Sequence, residues 1–170
     1  MANIPAFQDH HAAAYSFLPP GKHKATPKQI EDHFVTPYLL SSSRQEIFTG
    51  WKMFRNLMHN LLPIEKEYLD GSFVTSKIDP KDADISFWVS AIELDRLSST
   101  EQQELMRILD KRVQSLLRCD VYIVPVCGQG HASYGAFQKM LWTEEYWAAC
   151  RDSQGGILGN VEKGYIEVLS

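Results

Sequence analysis

Glu67-Tyr68-Leu69-Asp70-Gly71-Ser72-Phe73-Val74-Thr75 leads through Ser76-Lys77-Ile78-Asp79-Pro80-Lys81 into Asp82-Ala83-Asp84-Ile85-Ser86-Phe87-Trp88-Val89. The first part reads as a short strand, about Tyr68 to Leu69, ending in a Gly-Ser turn. The last part reads as a second strand, roughly Ala83 to Val89, so the two make a β-hairpin with a long connection. Asp82 and Asp84 are two apart and project from one face of that strand. Two carboxylates this close repel unless a cation lies between them, and Mg²⁺ prefers hard oxygen ligands. Gly71 has no Cβ, which lets the backbone approach a ligand, and Ser72 offers a hydroxyl and an N–H to a phosphate. Together they point to a metal–nucleotide site.

Outward from the hairpin, the second strand is too apolar for one wet face, so it is central in its sheet. A helix precedes the hairpin, opened by a capping box at Ser43-Arg44-Gln45-Glu46, with Ile47, Phe48, Trp51, Phe54, Met58, Leu61 and Leu62 as its buried stripe. Arg44, Lys52 and Arg55 fall on its other faces and are expected in solvent, with Arg44 or Arg55 within range of a phosphate. An earlier helix starts at Thr26-Pro27-Lys28-Gln29, buries Ile30 and Phe34, and stops before Pro37. Residues 1–26, interrupted at Leu18-Pro19-Pro20-Gly21, read as an extended arm packed on the domain of residues 27–170 or on another subunit. His10-His11 within it reads as solvated.

After the hairpin, Ser98-Ser99-Thr100-Glu101 starts a third long helix with Leu105, Ile108, Leu109, Val113, Leu116 and Leu117 buried, ending near Arg118. Cys119 to Val126 is a third strand, β-branched and closed by Pro and Gly. Gly128-Gln129-Gly130-His131 is a loop. Helical spacing returns at Tyr134, Phe137, Met140, Leu141, Tyr146 and Trp147, is broken at Ser153-Gln154-Gly155-Gly156, and Gly164 to Leu169 closes the chain as a strand. The order predicts an α/β (α+β) fold, a mixed sheet covered by helices.

The chain of 170 residues fits one domain with a real core. A net charge of −4 without a basic run argues against a large nucleic-acid footprint. Cys119, Cys127 and Cys150 are odd in number and lack CxxC spacing, which favours reduced thiols over a disulfide or zinc framework. No signal peptide or membrane-length apolar run is read, so the expected compartment is the cytoplasm and no membrane partner is expected.

Phosphoryl chemistry with two divalent ions about 3.5–4 Å apart asks for a third carboxylate facing the pair. Asp120, heading a strand expected beside the second, is the candidate; its bland alternative is a strand-end Asp bonded to backbone. Asp79 reads as a turn residue and is left out of the site. Asp84, flanked by Ala83 and Ile85, is costly there without a partner. His131 and Lys163 read as structural or exposed more readily than as ligand contacts. Trp142, Tyr146 and Trp147 read as core before they read as a base-stacking platform. Cys119 reads as packing.

Gly71-Ser72 after one strand and Asp82-x-Asp84 at the start of the next resemble the signature of the nucleotidyltransferase superfamily, the DNA polymerase beta-like fold. Leu18-Pro19-Pro20-Gly21, Ala25-Thr26, Ser43-Arg44, Leu69 to Thr75, Pro80-x-Asp82-x-Asp84 and Lys163-Gly164-Tyr165-Ile166 extend the likeness to a bacterial family of small, single-domain nucleotidyltransferase-like proteins. The resemblance implies a nucleotidyltransferase-like palm, with Asp82, Asp84 and Asp120 as catalytic residues and ligands of Mg²⁺ or Mn²⁺. It implies that Gly71, Ser72 and Lys77 bind the nucleoside triphosphate, ATP among the candidates. The implied reaction moves a nucleoside monophosphate to an acceptor that is a protein, an RNA or a small molecule. The alternative is a non-catalytic nucleotide- or partner-binding module, such as one half of a toxin–antitoxin or phage-defence pair, with a partner protein or a second copy bound. Metal-dependent phosphodiester hydrolysis is a third reading. The chain has no room for the extra helical domain with which many relatives hold the acceptor.

Overall fold

The computed structural model describes residues 4–140, 148–152 and 156–169. Its centre is a five-stranded mixed sheet, and the hairpin expected from the sequence lies inside it. Strand β1 is Gly21–Ala25, β2 is Ile64–Asp70, β3 is Ala83–Ser90 and β4 is Cys119–Val126. A small antiparallel pair follows, β5 (Ala149–Arg151) and β6 (Ile157–Glu162), and β7 is Gly164–Val168. The large sheet has the order β1-β7-β2-β3-β4. β2 runs antiparallel to both β3 and β7, while β4 lies parallel to β3 and β1 parallel to β7. Parallel neighbours need a crossover, and helices supply it between β3 and β4.

Side-chain alternation separates the two faces. Leu69, Ile85, Phe87, Val89, Val121 and Ile166 point into the main core with Ile30, Phe34, Ile47, Trp51 and Phe54 from the helices. Tyr68, Trp88, Val124 and Tyr165 point the other way and form a second, smaller core with Phe137 against it. β3 is therefore buried on both faces, as its run of apolar residues requires.

Helix α1 (Pro27–Phe34) carries the capping box of Thr26 and Gln29 read from the sequence. Helix α2 (Arg44–Leu61) has the predicted stripe but not the predicted cap: Ser43 makes no side-chain cap bond. Instead the Ser41 hydroxyl accepts from the Arg44 and Ser43 N–H groups, 3.1 and 3.3 Å away. The expectation that Arg44 is solvated is wrong. It is 1% exposed and donates to the carbonyls of Phe34, Phe73, Thr75 and Lys77. Burial pulls its guanidinium down to about 10. Arg55 is not free either, since its Nε donates to Glu67 at 2.9 Å.

The single helix expected from residue 98 onward is broken. A short α3 (Ala91–Asp95) precedes α4 (Ser99–Ile108), and Asp110 caps a separate α5 (Lys111–Leu116). Asp110 accepts from the Arg112 N–H, and this local bond competes with continuing the helix. Leu116, read as buried, is exposed on α5 as a result. Residues 21–25 of the presumed arm are an edge strand of the sheet, with Ala25 buried in the core. Gln8 and Phe17 pair with each other, and Phe17 pairs with Thr75, so this segment is strapped across the hairpin connection. Helix α6 is Tyr134–Met140. Leu141, Trp142, Tyr146, Trp147 and the break at 153–155 lie outside the described residues. No helix among the described residues is long and apolar enough to cross a membrane.

Candidate functional site

The alternation that sends Ile85, Phe87 and Val89 into the main core sends Asp84, Ser86 and Trp88 to the opposite face. Strand register then aligns three carboxylates in one row. Asp84 on β3 is paired with Asp70 on β2 on one side and with Asp120 on β4 on the other. Asp82, two residues before Asp84, adds a fourth on the approach to the strand. The structure thus brings together Asp82, Asp84 and Asp120, the three acids expected from the sequence, and adds Asp70, which the sequence reading left unassigned.

These four are not equivalent. Asp70 is 5% exposed and bonds to the ammonium of Lys163, itself 9% exposed, immediately before β7. Asp120 is half-exposed and has the Lys111 Nζ at 3.2 Å. An exposed lysine pair of this kind contributes little, roughly 0–1 kcal/mol. The carboxylates of Asp82 and Asp84 make no hydrogen bond or ion pair with any described residue. Burial, and then the charges of Asp70, Asp82 and Asp120, push the Asp84 carboxyl up to about 7, with Lys163 acting in the opposite direction. Burial, and then the charges of Asp82, Asp120 and Asp84, push the Cys119 thiol up to about 12, so that thiol stays protonated and is packing.

Gly71 touches this cluster directly. Its φ of 81° lies in the region that favours glycine. A Cβ built there would run into the carboxylate of Asp84. Backbone conformation and space therefore both require glycine at this position. Ser72 begins a one-turn 3-10 helix, Ser72–Val74, whose closing bonds run from the Thr75 N–H and hydroxyl to the Ser72 carbonyl. The loop beyond it is held from below by Arg44, through the carbonyls of Phe73, Thr75 and Lys77. It is held from the side by Ser16, whose N–H donates to the Ser76 hydroxyl at 2.9 Å. Lys77 sits on this braced loop, half-buried, with its ammonium 5.3 Å from the centre of the Tyr15 ring.

Tyr68, Trp88 and Tyr165 underlie the carboxylate row, with ring centroids 5.6 and 5.4 Å apart in edge-to-face pairs. All three are buried and pack against each other. Asp79, excluded from the site on sequence, accepts from the Ser42 N–H and the hydroxyls of Ser41 and Ser42, which hold its carboxyl below the usual range. His131 lies apart, 3.0 Å from Asp95. Trp142, Tyr146 and Trp147 are outside the described residues.

The cluster offers only carboxylate oxygens, a donor chemistry that would suit Mg²⁺ or Mn²⁺ and not a soft metal, and Asp70 among them is taken up by Lys163. Among the described residues, no three acidic, His or Cys side chains are already drawn close enough to enclose an ion. Asp70 was the residue missed, and its signal was present: an acid at the strand end beside Gly71. Lys163 was less legible, because only the β2–β7 pairing brings it to Asp70.

Residues 10–169 match the model of DUF6932, a family of unknown function, and the chain belongs to that family. No curated protein and no solved structure matches it.

Proposed function

We propose that this member of DUF6932 is a nucleotidyltransferase that binds a nucleoside triphosphate with Mg²⁺ or Mn²⁺ and passes the nucleoside monophosphate to an acceptor hydroxyl. The observation that carries the reading is Asp84: a carboxylate without a partner, set between Asp70 and Asp120 in strand register, in space that only a glycine at 71 leaves open. Such crowding costs folding energy unless a ligand relieves it, and an oxygen-liganded divalent ion relieves it. Asp82, Asp84 and Asp120 would hold that ion. When bound, it supplies charge stabilisation to the α-phosphoryl and the leaving pyrophosphate.

This chain's own groups do the rest. The Gly71–Ser72 backbone and the Ser72 hydroxyl face the β- and γ-phosphates, and Lys77 offsets their charge from the braced loop. Asp120, the most solvent-open of the three strand carboxylates, takes the acceptor's proton. Lys163 holds Asp70, and so the end of β2, in place. The three cysteines are buried and free, which fits a reducing cytoplasm.

The test is incubation with each α-³²P nucleoside triphosphate and Mg²⁺ in host lysate, beside the Asp82→Ala/Asp84→Ala double variant. Label transfer that falls by at least about 10³-fold in the variant, with its fold intact by circular dichroism, is the expected result. Tight nucleotide binding without transfer to anything would sink the enzyme and leave a binding module. Nucleic-acid cleavage dependent on the same carboxylates would replace transfer with hydrolysis.

A further inference from the structure

A cleft of about 870 Å³ opens beside the carboxylates, bounded by the first half of α2, by α5, by Lys81 and Asp82 just before β3 and by the first residues of β4. Asp82 and Asp120 are on its wall; Gly71, Ser72 and Lys77 are not. An occupant therefore meets two of the site's acids without displacing anything from the phosphate cradle. The cleft is a built feature. Gly50 allows α2 to reach the backbone of Leu117, where any Cβ would strike the Leu117 carbonyl. Arg118 follows in the left-handed region with φ of 52°, a costly conformation for a non-glycine residue, and its Nε pairs with Glu46 of α2 at 3.0 Å. That exposed pair links α2 to the turn before β4.

We infer that this cleft is the acceptor site, and that the acceptor is a small, hydroxyl-bearing phosphorylated or carboxylated molecule; the inference rests on the transfer reading above. Its volume lies within the roughly 300–1,000 Å³ of small-molecule pockets. Its wall carries three cations, Lys81, Lys111 and Arg118, and three acids, Glu46, Asp82 and Asp120. Lys111 is already engaged with Asp120 and Gln114, and Arg118 with Glu46. Lys81 is exposed, has no hydrogen bond or ion pair with a described residue, and adjoins Asp82 in sequence. It is the cation free to take an anionic group. The acceptor hydroxyl then lies at the carboxylate end. Its oxygen forms a bond to the α-phosphorus of the triphosphate, the α–β bridging P–O bond breaks, pyrophosphate leaves, and the hydroxyl proton passes to Asp120.

Ribose 5-phosphate and glycerol 3-phosphate, against ribose and glycerol, test this by calorimetry on the full chain with and without a non-hydrolysable ATP analogue and Mg²⁺. The phosphorylated probes are expected to bind and the neutral ones not. Lys81→Glu should weaken the phosphorylated probes by about tenfold or more, the loss of one charge-assisted contact, with nucleotide affinity changed by less than about twofold. Thr49→Trp, which fills the cleft from an exposed position on α2, should abolish probe binding and again spare the nucleotide. Equal binding of charged and neutral probes, or unchanged affinity in both variants, overturns the site. A single-stranded RNA hexamer that binds the cleft more tightly than either sugar phosphate overturns the small-molecule assignment. Nucleotide that fails to bind while the phosphorylated probes still do would strike down the transfer reading and leave the anion cleft standing.

Discussion

Glu67 and Asp84 are acidic residues on the paired strands β2 and β3, on opposite faces of one sheet, and their surroundings differ completely. Glu67 is 3% exposed, and its oxygens accept from the Trp51 indole at 2.7 Å, from Arg55 at 2.9 Å and from His59 at 3.3 Å. Asp84 receives nothing of the kind, and its nearest charges are mostly of its own sign. A buried acid met on every side by donors belongs to the fold. One left without donors, among other acids, adds nothing to the fold, and that is the ground on which a binding role is proposed for it.

The sharpest way to break that contrast is to delete both acids in turn. Glu67→Ala strands the Trp51 N–H and the Arg55 charge and should destabilise the protein by roughly 3–5 kcal/mol. Asp84→Asn removes a repelling charge and should leave the denaturation midpoint unchanged or raised. Urea melts of the two variants decide it, and a comparable loss from both would make Asp84 a structural residue after all.

The next largest effect is in pH. Asp84 is raised in the folded state, so the stability it contributes is fully present below its unfolded value near 4 and is lost as pH rises through about 7. Metal-free protein should therefore lose roughly 2–4 kcal/mol from this group between pH 4 and pH 8, and Asp84→Asn should flatten that part of the profile. Added Mg²⁺ should raise the melting temperature at pH 8 and not at pH 5. A rise at pH 5 of the same size would contradict a carboxylate site.

Gly71→Ala combines an unfavourable φ with a collision against the Asp84 carboxylate. It should cost roughly 1–3 kcal/mol of stability and most of the nucleotide affinity, measurable by thermal melts and calorimetry together. The smallest expected effect is at Ser43. Because Ser43 makes no cap bond, Ser43→Ala should change stability by less than about 0.5 kcal/mol, whereas Ser41→Ala, which removes the actual acceptor, should cost about 1 kcal/mol.

Much of this was legible because it is local. Thr26 and Gln29 cap a helix through neighbours in sequence, β4 was bounded by its own Pro and Gly, and the alternation from Asp82 to Val89 set which face each side chain takes. Asp84 beside Asp120 followed from that alternation plus one guess about strand order. Arg44 was misread since its partners, the carbonyls at 34, 73, 75 and 77, are distant in the chain. β1 was missed for the same reason: Gly21–Ala25 has no strand-like pattern of its own and becomes a strand by pairing with β7.

The residues alone determined the Gly-Ser turn, the Asp-x-Asp strand and the helical stripes, because glycine's missing Cβ and the periods of strand and helix act over a few residues. Only the tertiary structure decided that Asp70 and Lys163 join the carboxylate row, that Arg44 braces the Lys77 loop, and that a cleft lined by charges of both signs meets Asp82 and Asp120. Those arrangements depend on which strands are neighbours and on desolvation between them, and both are properties of the closed sheet.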